Sequence, residues 1–501
     1  MFRTSLGMLT LACLASVASA NDFVVTAPGS IQTAIDAAID GDRVLVQPGT
    51  YFESLNFAGK ANQVIGVGGS AVTVLDAGGV GSAVSFQNGE GPTTRLAGFG
   101  ITGASNSGIV TAPGVTPTIE GCEIFANVGT WGGGVHGDAI LLRCTIRNNH
   151  ASTGNGGGVW GTPFMEDCLV LQNTVTSGAG GGVYIQASSA VVRDCRIEGN
   201  SAVFGQGRGA GIYVNSPAEL AVTGTILTGN FASAGVFGAY GAGLFVEAAG
   251  TTVDRCTIVG NTLSGSSELG GGIYGPAVVT NSIVRGNTGS QLASVTTVSY
   301  CDVEGGALGT GNIDADPLLV DPVGGDYDLS PGSPCIDAGD PLAPLDANAS
   351  VLEMGALPFD IPAASTYCLG LANSAGPGAS IGWTGNQSVT ANDFALSVSG
   401  VPSGMPGVFF YGASKVQEPF RDGLLCIDAQ GQGLHRLLPA VFSAPDGSAS
   451  YDLDFTLPPL SAGPGAILPG STWSFQCWYR DPAAVLSGSN LSNALRAGFA
   501  L

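Results

Sequence analysis

The chain has 501 residues, which exceeds the usual size of one domain and predicts at least two. Hydrophobic residues make up 44% and charged residues only 11%, so the composition excludes a disordered protein. The formal net charge of −22 disfavours nucleic acid and anionic lipid as partners. It also disfavours a polyanionic substrate, unless a cation bridges substrate and protein.

The first 20 residues have the pattern of a secretory signal peptide. Arg3 supplies a positive charge, an apolar stretch follows, and the small residues Ala18 and Ala20 flank Ser19 as at a cleavage site. We expect cleavage after Ala20 and a mature chain that is secreted or held at the cell surface. A lipid anchor at Cys13 is the alternative. No later stretch has the roughly 18 apolar residues of a membrane-spanning helix, so we expect no membrane span.

A short amphipathic helix is predicted next. Ser30 is a typical N-cap residue, and Gly41 ends the segment. The predicted apolar face comprises Ile31, Ala34, Ile35 and Ala38. Such a helix would cover the open end of a stack of strands, where exposed edges promote aggregation. Val44–Val46 is the first predicted strand.

Two short motifs then alternate along the chain. The first motif has five residues in this order: Gly, a small residue, Gly, an aliphatic residue and, in most copies, an aromatic residue. Its copies begin at Gly132, Gly156, Gly180, Gly209, Gly241 and Gly270. The second motif begins with a small residue, which is followed by an aliphatic residue at the second position after it and by Asn at the fifth position after it. Its copies begin at Cys122, Cys144, Cys168, Cys195, Thr225, Cys256 and Ser282. Its intervals are 22, 24, 27, 30, 31 and 26 residues. Short strands at this spacing bury their faces only by stacking coil on coil, which predicts a parallel β-helix.

The repeats also predict columns of like residues. We expect the asparagines to form a line of hydrogen-bonded amides parallel to the helix axis: Asn127, Asn149, Asn173, Asn200, Asn230, Asn261 and Asn287. Because Thr225 and Ser282 occupy the same position as the cysteines, that position requires a small inward side chain rather than a thiol. We therefore expect mostly free, buried thiols, with Cys256 unbridged. No cluster of Cys and His indicates a metal site.

Several segments of the sequence resemble known secreted proteins. Residues 30–54, SIQTAIDAAIDGDRVLVQPGTYFES, resemble the opening of secreted, pectin-lyase-like β-helix proteins of bacteria. Ser333–Pro341, SPCIDAGDP, resembles the segment that closes such helices. The Gly-Gly-aliphatic and Phe125-x-Asn127 elements also resemble repeats of polymorphic outer-membrane adhesins. The resemblance covers roughly residues 22–357 and implies an all-β chain, with a right-handed parallel β-helix over residues 21–362 behind an N-terminal capping helix.

The repeats stop after Pro362. Residues 366–501 alternate short β-type runs with Gly, Pro, Ser and Asn turns, which predicts a smaller antiparallel β-sandwich domain. The runs TWSFQCWYRDP and NLSNALRAGF resemble a C-terminal module of many secreted bacterial proteins with unrelated front halves, which implies attachment, sorting or glycan binding. Two of Cys368, Cys426 and Cys477 can pair, and the strand-like runs around the last two favour a Cys426–Cys477 disulfide.

The aromatic column is the candidate ligand-binding surface. Aliphatic and polar residues alternate around its members, so we expect the rings to point outward, about 4.8 Å apart per coil. Such a row would suit sugar rings or a partner protein, and the alternative is that a loop or the C-terminal domain covers it. With Asp138, which shares an outward face with His136, the candidates are His136, Asp138, Trp160, Tyr184, Tyr213, Phe245 and Tyr274.

The resemblance also raises the hypothesis of a polysaccharide lyase. In this fold a lyase would need a basic residue near carboxylates that hold calcium against the substrate. No group of aspartates faces an arginine within one coil, and the Asn-Thr-Asp, Asp-Asp, Gly-His-Gly and Arg-x-Lys motifs of hydrolases of this fold are absent. We therefore assign no catalytic residue. An acid-rich stretch supplies the candidate calcium ligands Asp314, Asp316 and Asp321, and no other cofactor is indicated.

Three functions follow, in order of preference. The first is an exported, non-enzymatic β-helix protein that binds polysaccharide or a cell-surface partner. The second is a calcium-dependent polysaccharide lyase of the pectate-lyase type. The third is a structural adhesin or surface-layer rod.

Overall fold

The computed structural model describes residues 20–186, 189–203, 207–235, 237–346, 350–359, 361–428, 433–484 and 486–499. The predicted signal peptide, apart from Ala20, lies outside the described residues. The chain divides into two compact units, residues 1–190 with 200–205, and residues 191–199 with 206–501. Both units are built almost entirely from β-strands.

The predicted helix runs from Ile31 to Ala37 and is the one α-helix in the described part of the chain. Its N-cap is Ser30, whose Oγ accepts a hydrogen bond from the backbone N–H of Thr33 at 3.1 Å. Ile31 and Ile35 are fully buried, and the helix packs on the first two strands of the first unit. The prediction of a capping helix is therefore confirmed. No helix in the described ranges is long and apolar enough to cross a membrane.

The strands of the first unit run parallel and pair in register from coil to coil. The first sheet contains Asp22–Val25, Arg43–Val46, Gln63–Gly66, Arg95–Ala97, Thr118–Glu120, Ile140–Leu142 and Phe164–Glu166. The second contains Gly49–Tyr51, Thr73–Asp76, Gly100–Thr102, Glu123–Phe125, Thr145–Arg147 and Leu169–Leu171. The third contains Leu55–Asn56, Val84–Phe86, Ile109–Thr111, Val135–His136, Val159–Gly161 and Val183–Ile185. A short fourth sheet contains Val128–Gly129, His150–Ala151, Thr174–Val175 and Ser201–Ala202.

Each coil turns at corners where a single residue takes up a left-handed backbone conformation. One coil has such corners at Arg143, with φ 51°, and at Asn148, with φ 54°. Between the corners the side chains alternate, and Leu141, Ile146 and Val159 are fully buried inside the coil. Three short strands with one inward residue each thus make one layer of core, and the next coil repeats it.

The second unit repeats this arrangement. Its first sheet contains Ala190–Arg193, Leu220–Thr223, Thr251–Asp254, Ala277–Thr280 and Thr297–Ser299. Its second contains Arg196–Glu198, Ile226–Thr228, Thr257–Val259, Ile283–Arg285 and Asp302–Val303, and its third contains Ile212–Val214, Leu244–Val246, Ile273–Tyr274 and Leu292–Ala293. Shorter parallel pairs join Phe231–Ser233 to Thr262–Ser264, and Ala239–Tyr240 to Glu268–Leu269. An antiparallel pair, Leu319–Asp321 with Asp326–Leu329, follows the coils.

The asparagines form the predicted lines. In the first unit the side-chain Nδ2 of Asn127 donates to Oδ1 of Asn149 at 3.1 Å, and the same contact links Asn149 to Asn173 and Asn173 to Asn200 at 3.0 Å. In the second unit Asn230 donates to Asn261, and Asn261 donates to Asn287. The register derived from the repeats is therefore confirmed.

The cysteines of the second motif are free and buried, as predicted. Thr225 and Ser282, which occupy the same column, bond the backbone as well: Cys195 N donates to Thr225 Oγ1 at 3.3 Å, and Cys256 N donates to Ser282 Oγ at 3.0 Å. Burial raises the pKa of Cys122 to about 11 and that of Cys256 to about 12. These thiols are therefore protonated core side chains.

The C-terminal region of the second unit is antiparallel. One sheet contains Ser365–Tyr367, Ser489–Gly498, Thr472–Arg480, Pro406–Gly412, His435–Arg436 and Val441–Phe442. Another contains Ser380–Thr384, Ala395–Ser399 and Ala449–Asp452, and a hairpin joins Ser414–Phe420 to Gly423–Asp428. Leu396 of the smaller sheet shares a core with Phe475 and Leu495 of the larger one. The predicted β-sandwich is confirmed.

The predicted disulfide is wrong. The structure joins Cys368 to Cys426, with their Cα atoms 6.3 Å apart, and leaves Cys477 free. The backbone N–H of Cys426 donates to Oε1 of Gln476 at 3.0 Å, so Cys426 lies on the Gln476 face of that strand. Consecutive strand residues point to opposite faces, and Cys477 accordingly points into the sandwich core.

Candidate functional site

The third sheet of the first unit aligns three of the predicted ligand-binding residues. His136 pairs in register with Trp160, and Trp160 pairs with Tyr184. Because the neighbouring Val135 and Val159 point into the coil, these three side chains lie on the outer face of the sheet. The rings of His136 and Trp160 meet edge to face, with centroids 4.8 Å apart and an interplanar angle of 82°. The outward direction that the sequence predicts is therefore correct here.

The second unit contains a similar but separate row. Tyr213 pairs in register with Phe245, and Phe245 pairs with Tyr274. Their rings are nearly parallel, with centroids 5.1 Å and 5.2 Å apart. Such close stacking is typical of packed side chains that support one another.

The prediction of a continuous exposed stripe is wrong for three of its members. Tyr184 is 7% exposed, Tyr213 is 3% exposed and Phe245 is 6% exposed, whereas His136, Trp160 and Tyr274 are half-buried. Rings covered to this degree cannot present a face to a sugar. They are structural side chains on the outer face of the sheet.

Loops of the second unit cover its row. The guanidinium of Arg208 lies 5.3 Å from the centre of the Phe245 ring, and the Tyr240 ring lies 5.0 Å from that of Tyr274. The Tyr213 hydroxyl also donates a hydrogen bond to the carboxylate of Glu247. Arg208 and Tyr240 belong to segments between an Asn of the column and the next Gly motif. These segments are longer in the later coils: the next Gly motif begins five or seven residues after Asn127, Asn149 and Asn173, but nine or eleven after Asn200, Asn230 and Asn261. That lengthening is the sequence signal for the cover.

A groove of about 610 Å³ lies beside the row in the first unit. Its lining comes from the carboxyl ends of five neighbouring strands of the third sheet: Gln87, Val110–Pro113, His136–Asp138, Trp160–Thr162 and Gln186. At about 4.8 Å per coil, five strands extend the groove over roughly 19 Å. The groove therefore contains three of the predicted ligand-binding residues, His136, Asp138 and Trp160.

Asp138 is held in one orientation within the groove. Its Oδ1 accepts hydrogen bonds from the backbone N–H and the hydroxyl of Thr162, the former at 2.8 Å. Its Oδ2 accepts none from the described residues. The carboxylate therefore has one oxygen fixed by the next coil and one available to a ligand. Thr162 is a site residue that the sequence analysis missed, because only the register of the coils places it beside Asp138.

Glycines form the floor of the groove between these side chains. A Cβ on Gly161 would lie 2.3 Å from the carbonyl oxygen of Gly137, and one on Gly137 would lie 2.2 Å from Thr111 Oγ1. Both glycines have positive φ angles, 147° and 112°. Any larger residue would separate the coils and fill the groove.

Two polar atoms of the lining have unmet hydrogen-bonding capacity. Trp160 Nε1 and Thr111 Oγ1 are buried, and the described residues supply a hydrogen bond to neither. Burial also lowers the pKa of His136, so its imidazole is uncharged at neutral pH. Asp138 is then the one charged side chain in the described lining, which contains no Lys or Arg.

The predicted calcium ligands are not gathered at one point. Asp314 forms an ion pair with Arg285 at 2.9 Å, Asp316 accepts a hydrogen bond from the Leu318 N–H, and Asp321 accepts one from the Gly324 N–H. In the described ranges no group of three or more His, Cys, Asp or Glu side chains could hold a metal ion. The protein side chains that the structure describes therefore do not assemble a calcium site here.

A second cavity, of about 970 Å³, lies at the last coil of the second unit. It is lined by Gly286, Asn287, the segment from Gly289 to Val298 and the segment from Val303 to Leu308. It is the larger of the two, but none of its described lining residues is aromatic, so it offers no ring on which a sugar could stack. The groove of the first unit is the better candidate site.

A family model and a solved structure are similar to this chain. The family described as "Right handed beta helix region" matches residues 82–263. Among solved structures, the crystal structure of pectate lyase Pel9A is similar, with 14% identity, a TM-score of 0.44, and coverage of 68% of this chain and 97% of that one. No curated protein matches the chain. The parallel, in-register strands confirm the β-helix expected from the sequence, and the antiparallel sheets that follow confirm the smaller C-terminal β-sandwich. The family match agrees with a right-handed β-helix over residues 82–263.

Proposed function

We propose that the chain is exported and binds a polysaccharide in the groove of the first unit without cleaving it. The observation that carries this proposal is the half-buried pair of rings, Trp160 and His136, in a groove that follows five coils. An aromatic ring beside fixed hydrogen-bonding groups suits a sugar, which has an apolar face and polar edges.

Export is supported by features outside the groove. The first 20 residues have the pattern of a signal peptide. The Cys368–Cys426 disulfide is of the kind that persists in oxidising compartments outside the cytosol. We propose secretion or retention at the cell surface, and the C-terminal sandwich is the proposed attachment or sorting module.

A binding function without catalysis is preferred because the groove lacks the parts of a lyase. A lyase needs a base to remove a proton, and in this fold a bridging cation to hold an acidic substrate. The described lining contains no Lys or Arg, and His136, which has no carboxylate as hydrogen-bond partner among the described residues, is a weakened base. Ultraviolet absorbance of unsaturated product from uronic-acid polymers, measured with and without calcium, tests the lyase hypothesis.

Binding is tested by affinity electrophoresis of the mature chain through gels that contain a panel of soluble polysaccharides. A retarding polymer should lose most of its effect on Trp160→Ala, because a lost ring contact is worth about 1–3 kcal/mol by analogy with stacked bases. Trp383→Ala, which removes a 37%-exposed tryptophan of the sandwich, is the matched control and should be retarded like the native chain. Equal retardation of Trp160→Ala and native chain, or no retardation by any polymer, would contradict the proposal.

A further inference from the structure

The charges of the groove restrict the polysaccharides that it can accept. Asp138 carries the one charge in the described lining, and the whole chain has a formal net charge of −22. A polymer of uronic acids would bring further negative charge to a site that has no cation to receive it. A positively charged ligand would instead enter an attractive potential.

The position of the Asp138 carboxylate suits a cation on the ligand. Because Thr162 fixes Oδ1 through two hydrogen bonds, Oδ2 is held in place as an acceptor. The floor between this carboxylate and the indole consists of Gly161, whose Cβ position would lie 3.2 Å from Oδ1. Trp160 is the residue immediately before Gly161, so the carboxylate and the indole border the same part of the groove.

The Trp160 ring and the Asp138 carboxylate together can bind an ammonium group. The face of a tryptophan attracts cations through its quadrupole, and a carboxylate forms a charge-assisted hydrogen bond with an ammonium. The uncharged imidazole of His136 packs edge-on to Trp160 and does not form an ion pair with Asp138. The described lining therefore supplies no charged partner for this carboxylate.

We infer that the groove selects a glycan that carries protonated amino groups, with one ammonium between Asp138 Oδ2 and the Trp160 ring. This inference rests on the proposed function, because it specifies the polysaccharide class that the groove binds. The neutral parts of the sugar chain lie along the remaining coils, where the exposed side chain of Gln87 offers hydrogen-bonding groups.

Titration calorimetry on the mature chain tests this inference with four probes. They are a glucosamine oligomer, its fully N-acetylated counterpart of equal length, an oligogalacturonate and polylysine, at a pH where the sugar amines are protonated. The glucosamine oligomer should bind at least about tenfold more tightly than the acetylated one, because only its amine gains a charged hydrogen bond. Raising the salt concentration should reduce this difference.

Asp138→Asn removes the negative charge of the groove while it keeps the shape of the groove. The asparagine Oδ1 can still accept the Thr162 hydrogen bonds, so the groove should persist while the preference for the amino sugar falls to within about twofold. Asp452→Asn makes the same charge change at an exposed site of the sandwich and should keep the preference. Equal binding of the amino and acetylated oligomers, no effect of Asp138→Asn, or equally tight binding of polylysine would overturn the inference while the proposed function stands. If the native chain binds no glycan, the proposed function fails and the inference fails with it.

Discussion

Asn149 donates a hydrogen bond from its side-chain Nδ2 to Oδ1 of Asn173 at 3.0 Å, and both residues are fully buried. Asn149 also accepts hydrogen bonds from the backbone and side chain of Asn127 through its own Oδ1. One side chain therefore satisfies polar groups in two neighbouring coils. Removing it would leave several buried groups unpaired at once.

We expect Asn149→Ala to lower the free energy of unfolding by about 3–5 kcal/mol, because each unpaired buried group costs about 1–3 kcal/mol. Urea denaturation monitored by circular dichroism gives the value. The matched control is Asn88→Ala at an exposed position, which should change the free energy of unfolding by no more than about 0.5 kcal/mol. Similar effects of the two substitutions would show that the asparagine contacts do not stabilise the coils.

The stacked row of the second unit predicts a graded loss of stability. Tyr213→Ala should cost about 3–5 kcal/mol, because it removes a buried ring that stacks on Phe245. Tyr213→Phe keeps the ring and loses the hydrogen bond to Glu247, so it should cost about 1 kcal/mol. Thermal melts of the two variants rank these losses, and a Tyr213→Ala variant that melts like the native chain would restore the hypothesis of an exposed ring.

Because of Glu353, we expect the folded protein to become less stable as the pH rises. Burial, with Asp346 and Asp337 nearby, raises the pKa of its carboxyl from 4.5 to about 7. The folded state then binds the proton more tightly than the unfolded state. The resulting stabilisation is complete below about pH 4.5, declines between the two pKa values and is lost above about pH 7; it amounts to at most about 3 kcal/mol.

Glu353→Gln removes this titrating group while it keeps the size of the side chain. The difference in unfolding free energy between native chain and variant should therefore shift in favour of the variant as the pH rises from 4.5 to 8. Chemical denaturation at several pH values measures it. A difference that stays constant over this range would mean that Glu353 titrates normally.

The free cysteines should not react in the folded protein. All of them are buried, and burial raises the pKa values of Cys256 and Cys301 to about 12, so the thiols are inaccessible and thiolate is scarce at these two positions. Alkylation followed by mass spectrometry should label none of the eight free thiols before denaturation and all eight after it. Disulfide mapping of the same sample should recover Cys368 linked to Cys426, and a peptide that links Cys477 instead would contradict the observed pairing.

The sequence was most informative where the coils repeat. The column positions of Asn149 and Cys256 followed from intervals alone, since a residue that recurs once per coil must face its own counterpart. Burial of Tyr213 did not follow, because alternation along a strand tells which face a ring occupies but not which loop lies over that face. The Cys368–Cys426 bond was equally inaccessible, because it joins residues whose proximity depends on packing between segments rather than on local pattern. Thr162 differs from these cases: it follows Asp138 by the 24-residue interval that also separates Cys144 from Cys168, so the register places it there, but no motif marks the pair.

The asparagine contacts also make neighbouring coils interchangeable. Asn149 is hydrogen-bonded to an asparagine in the preceding coil and to another in the following coil. Removal of one whole period, such as the 24 residues from Cys144 to Asp167, would therefore bring Asn127 next to Asn173 and restore the same hydrogen bond. A deletion of one or two residues would instead shift every column at once. The length of such a chain can therefore change during evolution in steps of a complete coil. Loss of this particular coil would remove Trp160 and shorten the groove, so ligand size and chain length would change together.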